Sequence, residues 1–149
     1  MYTLKRILRP NALLIMLLTG FLAPVSAQPQ QIKSLTTTAR GHGTISSAVD
    51  KRKITSALVV LRQNGTVLIT LIAELHLQAE GTWKASASSP HEILLKITGG
   101  AVKGEMNGSG KLLLSRDGKS FRQLTASIKT VDGSEITVAF DSDDSEPRE

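Results

Sequence analysis

The chain has 149 residues with no Cys, one Trp, one Tyr and three Phe, so disulfide staples and a lipid-modified N-terminal Cys are both excluded. Its formal charge of +5 is unevenly spread: residues 28–140 carry 14 Lys and Arg against 8 Asp and Glu, while residues 141–149 hold five acids and one Arg. A nucleic-acid binder concentrates positive charge on one face and adds aromatic rings to stack bases, and an aromatic content of 3% argues against that class.

The first segment has the three parts of a secretory signal peptide: Lys5, Arg6 and Arg9, then an apolar run from Ala12 to Leu22, then the small residues Val25, Ser26 and Ala27. The run is shorter than the roughly 20 residues a membrane-spanning helix needs, and Pro24 interrupts it near its end. Residues 1–27 are therefore expected to be cleaved. The protein is then exported, to the periplasm or beyond, with no stable transmembrane segment. The remainder is one domain's length, long enough to bury a core without metal or cross-links.

Alternation of apolar and polar residues, the mark of a strand with one buried face, recurs through residues 28–140. It predicts an all-β domain, either an antiparallel sandwich or a meandering barrel of about eight strands. The segments are near 36–46, 54–62, 66–73, 75–86, 91–98, 101–106, 110–116, 120–130 and 134–141. Asn64-Gly65, Asp117-Gly118 and Asp132-Gly133 read as type I′ hairpin turns. Gly99-Gly100 and Asn107-Gly108-Ser109-Gly110 read as further turns or bulges. The stretch 73–80 also satisfies helical spacing and is left between strand and helix. Residues 141–149 read as an acidic disordered tail that solvates the last strand's edge.

Chemistry-bearing residues are sparse. His42 stands between Gly41 and Gly43, His76 and His91 have no ligand-spaced partner, and Ser109 lacks the Gly-x-Ser-x-Gly elbow of a hydrolase. No catalytic residue, metal ligand or cofactor is expected. The candidate binding residues are His42 with its flexible neighbours, the cationic run Lys51-Arg52-Lys53, which suits an anionic surface, and Trp83. Trp83 is expected to be the main aromatic anchor of the core, beside a bulge at Gly81.

Gly81-Thr82-Trp83 is similar to the Gly-x-Trp element of lipocalins, which stands in the first strand of their barrel. Here several strands precede it and 68 residues follow, so the resemblance covers three residues and carries over no ligand site. The functional expectation is a non-catalytic binding or structural domain of the envelope or exterior, engaging an unknown macromolecule through strand edges and loops. The alternative is a small β-barrel carrier of an apolar ligand.

Overall fold

A computed structural model describes residues 32–74, 76–100 and 105–143. Residues 1–31, which include the expected leader, Leu75, residues 101–104 and the last six residues lie outside that set. The described chain is all β. Eight strands follow one another around a closed barrel, each antiparallel to its sequence neighbours: β1 Leu35–Ser46, β2 Lys51–Leu61, β3 Thr66–Ile72, β4 His76–Ala85, β5 Glu92–Gly100, β6 Met106–Leu114, β7 Phe121–Thr130 and β8 Glu135–Ser142. The meandering barrel of the two expected architectures is the one adopted. Pairing of β1 with β8, from Gly41 opposite Ser142 to Ser46 opposite Thr137, closes it.

Closure changes two expectations. The last strand has no free edge to be solvated, and Asp141 and Ser142 belong to β8 rather than to a tail. The backbone N–H of Asp143 then donates to the Arg40 carbonyl at 2.8 Å, carrying the pairing one residue further. The ambiguous stretch resolves as well: β3 ends at Ile72, and β4 runs extended from His76, paired with Ile72. The β-branched run ahead of it outweighs the helical spacing.

Gly108-Ser109-Gly110 is not a turn. It lies inside β6, paired with Leu95 to Ile97 of β5 on one side and with Ala126 to Ile128 of β7 on the other. The glycines face inward, where a β-carbon at Gly108 would stand 2.5 Å from the Ser127 carbonyl oxygen. The two short strands expected at 101–106 and 110–116 thus give way to one described strand, with residues 101–104 outside the described set.

The hairpin dipeptides do mark turns, but of another type. Among the described residues none other than glycine has positive φ, which excludes type I′. Gly65, Gly118 and Gly133 are the left-handed glycines among the described residues, and their N–H groups donate back to the carbonyls of Arg62, Ser115 and Thr130. Each is a type I turn closed by a left-handed glycine, with the preceding Asn or Asp side chain accepting from the backbone two residues on: Thr66, Lys119 and Ser134 at 3.0–3.1 Å. Those bonds hold the carboxyls of Asp117 and Asp132 below the usual carboxylate range. The Ser115 and Thr130 hydroxyls act most strongly, and the Lys119 and Ser134 amides next.

Inward positions build one core of Leu, Ile, Val and Ala around two phenylalanines. Phe121 and Phe140 are fully buried, with ring centroids 6.0 Å apart and tilted at 48°. An eight-stranded barrel is just wide enough for its side chains to fill it, and the small inward residues Ala39, Ala57, Ala79 and Ala126 make room for the large ones. Most outward positions are Thr, Ser, Lys, Glu or Gln, apart from the half-buried Leu58, Val60, Leu68 and Ile72 on β2 and β3 and Leu94 and Leu113 on β5 and β6. That is the inverse of a membrane-spanning barrel, whose apolar band faces out.

Candidate functional site

The links divide between two ends. β2–β3, β4–β5 and β6–β7 turn at one end, next to Trp83; β1–β2, β3–β4, β5–β6 and β7–β8 turn at the other, next to Arg52. At the first end Trp83 pairs with Leu95 across β4 and β5. Its backbone N–H donates to the Gly65 carbonyl at 2.8 Å and its indole Nε1–H to the Arg62 carbonyl at 2.9 Å. The side chain is half-buried and packs against the core edge. Trp83 is therefore a rim anchor rather than the main aromatic of the core, a place that Phe121 and Phe140 take. The indole N–H needs an acceptor, and the rim supplies one where the centre has none. The expected bulge beside Gly81 is present, as a register shift between Glu80 and Gly81.

The Gly41-His42-Gly43 stretch also has a packing explanation. A bulge in β1 falls between Arg40 and Gly43. A β-carbon on Gly41 would lie 2.1 Å from the Asp141 carbonyl oxygen and 2.8 Å from the Phe140 ring, and one on Gly43 would lie 2.7 Å from the Phe140 backbone. The glycines admit Phe140 and close the seam with β8. His42 between them faces outward, with Nδ1 3.3 Å from Asp143 Oδ1.

Lys51-Arg52-Lys53 does not act as one cluster, because strand geometry sends alternate side chains to opposite faces. Lys51 and Lys53 are exposed on the outer surface, as is His42 on neighbouring β1. Arg52 shares the inner side with Ile54 and pairs with Ile45. The Asp50 carboxylate accepts from its Nε at 2.5 Å, and Asp50 is in turn tied to Ser47 through its backbone N–H and carbonyl. The five sequence-nominated residues thus do not converge. Trp83 is at one end, Arg52 at the other, and His42, Lys51 and Lys53 are outside.

What the sequence reading misses lies at the Arg52 end. Val49 and Val131 are 95% and 71% exposed, the two large apolar side chains most open to solvent among the described residues. They stand at the tips of the β1–β2 and β7–β8 turns, which are neighbours because β8 pairs with β1. A cleft of about 480 Å³ runs between the two turns, walled by Ala48, Val49, Met106, Val131 and Ile136 among others. It shares Ser47 and Ile136 with a second cavity of about 290 Å³ at the barrel mouth, over Ile45 and Leu77. A lone exposed Val is unremarkable in a sequence; only the closing of β8 on β1 makes these two a pair.

Acids and histidines scatter. Glu92 faces Lys111 at 3.6 Å, His76 stands at the mouth of the Arg52 end, and the His91 carbonyl accepts the Leu114 N–H in the β4–β5 link. No group of three or more His, Asp or Glu among the described residues is placed to hold a metal. Inside the barrel, the enclosed void bounded by Ile69, Leu71, Ala79, Ile97 and Ile128 is about 10 Å³, roughly the room of one water.

By fold and site this is a closed, up-and-down, eight-stranded antiparallel barrel with a side-chain-filled interior and a paired cleft and cavity at one end. No protein family, curated protein or solved structure matches the chain.

Proposed function

We propose that this is a non-catalytic, exported binding domain whose barrel is a rigid support and whose Arg52 end engages another macromolecule of the envelope or exterior. The observation that carries the reading is the pairing of Val49 and Val131 on adjacent turn tips beside the cleft. Exposed apolar side chains grouped on one end, with polar strands around them, mark an interaction surface rather than a folding necessity. Barrel closure leaves no strand with a fully open edge for β-augmentation among the described residues, which favours the turns as the contact surface. The carrier alternative gains little from the interior, because a cavity of about 10 Å³ is far below the several hundred Å³ of ordinary ligand sites.

Photo-crosslinking residues placed at Val49 and Val131, and at Asn64 and Asp117 as controls on the opposite end, test the reading in cells. Adducts to a shared partner from the first pair and none from the second are expected. Equal labelling from both ends, or none at either, would overturn it.

A further inference from the structure

The barrel mouth holds a feature that partner docking does not use. Arg52 is the one Lys, Arg, Asp or Glu at an inward strand position among the described residues. A guanidinium facing an apolar barrel must be partnered or reach water. Here it is held rather than left free: Nε donates to Asp50, whose backbone is fixed in the turn by Ser47. A guanidinium has five N–H donors, so four remain. Asp50 is the partner the structure gives Arg52.

Below and beside it lies the cavity of about 290 Å³, with Ile45, Leu77 and Ile136 as its apolar lining and Ser47, Asp50, Arg52 and His76 as its polar groups. Leu77 also walls the small interior void, so its side chain is the partition between mouth and core. Its size is at the low end for small-molecule sites, which limits the occupant to a short chain.

We propose that this cavity binds a small amphiphile with one carboxylate head and a short alkyl chain. The carboxylate takes the terminal Nη edge of Arg52, and the chain lies on Ile45, Leu77 and Ile136. The inference rests on the reading of the Arg52 end as the binding end and names a ligand class for it. Charge complementarity decides the head group. Besides the His76 ring, the donors left over in the cavity are guanidinium N–H groups arranged as a fork, which matches two carboxylate oxygens. A cationic head would be repelled by the Arg52 guanidinium, and the acid it could pair with, Asp50, is already bonded to Arg52 Nε at 2.5 Å. A neutral head would gain only ordinary hydrogen bonds from the same donors.

The test is a titration of the isotope-labelled protein with sodium octanoate, followed by amide chemical shifts. Octan-1-ol, octylammonium and acetate serve as comparison probes. Saturable shifts at Ile45, Arg52, Leu77 and Ile136 are expected with octanoate, with weaker binding of octanol and none of acetate. Arg52→Gln should weaken octanoate about tenfold or more while changing octanol much less. Arg52→Lys, which keeps the charge but not the fork, should recover part of the loss and stands in if the Gln variant does not fold. Ile136→Trp, which fills the cavity, should abolish binding of both. The proposal fails if octanoate produces no saturable shifts, or if they map to the outer strip of Leu58, Val60 and Leu68. It fails equally if octylammonium binds as well as octanoate, or if Arg52→Gln changes octanoate and octanol alike. Failure here with crosslinks intact at Val49 and Val131 removes the ligand class alone; lost crosslinks with octanoate still bound remove the macromolecular partner alone.

Discussion

The two ends of the barrel use the same strands differently. Toward the Trp83 end, Phe121, Phe140, Leu35, Leu61 and Leu114 are all buried to 9% exposure or less, and Trp83 is bonded across to the β2–β3 turn. At the Arg52 end Met106 is buried, but the inward Ile45, Leu77 and Ile136 are only half-buried and a charged Arg52 stands beside them. The first end is filled to the rim; the second leaves its last layer of side chains facing a cavity. Side chains of ordinary type can therefore make a stability layer or a recognition layer, depending on whether a neighbouring strand brings a large ring over them.

If that contrast is right, substitutions should separate by end. Phe140→Ala should cost about 3–5 kcal/mol in chemical denaturation, because it empties the centre of the filled layer. Ile136→Ala at the other end should cost clearly less, since its side chain already borders open space, and equal costs would break the comparison.

Trp83→Phe keeps the ring but removes the indole donor. A loss of about 1 kcal/mol is expected, the ordinary worth of one hydrogen bond. The change should also speed amide exchange at Gly65 and the residues around it. An effect as large as that of Phe140→Ala would mean that the rim, not the centre, governs the filled end.

The smallest effect concerns acid. The carboxyls of Asp117 and Asp132 titrate below their ordinary value in the folded chain, so the native state binds fewer protons than the unfolded one there. Their contribution is present above about pH 4 and is lost as pH falls through the lowered folded values. Asn keeps the acceptor that Asn64 already supplies in the β2–β3 turn. The double variant Asp117→Asn and Asp132→Asn should therefore unfold normally at pH 7, with a shallower loss of stability below about pH 4. One carboxylate lies at each end, so the single variants reveal whether acid loosens the ends equally.

Much of the fold was legible because strand burial has a period of two. Ile93, Leu95 and Ile97, then Leu124 and Ile128, then Val138 and Phe140 are buried as their alternation predicts. Gly-Ser-Gly in β6 misled because glycine marks both turns and close strand approach, and only the neighbours β5 and β7 distinguish the two. The turn type differs from the expected one for a related reason. A dipeptide shows that a left-handed glycine is available, whereas the pattern of cross-strand bonds fixes where it is used. Among the nominated site residues, Arg52 was identified for its place in a cationic run, yet its interest lies in facing the opposite way from Lys51 and Lys53. The paired turn tips at Val49 and Val131 left no mark, since they are 82 positions apart along the chain.

The order of residues was enough to specify a β domain and the faces of most of its strands, because side-chain alternation and glycine-bearing turns are local properties. Closure of β8 on β1, the filling of the interior, and the grouping of Arg52, Ile136, Val49 and Val131 at one end are not local. They depend on which strands meet after the sheet curls round, and that was decided by packing: the barrel closes where Gly41 and Gly43 let Phe140 in.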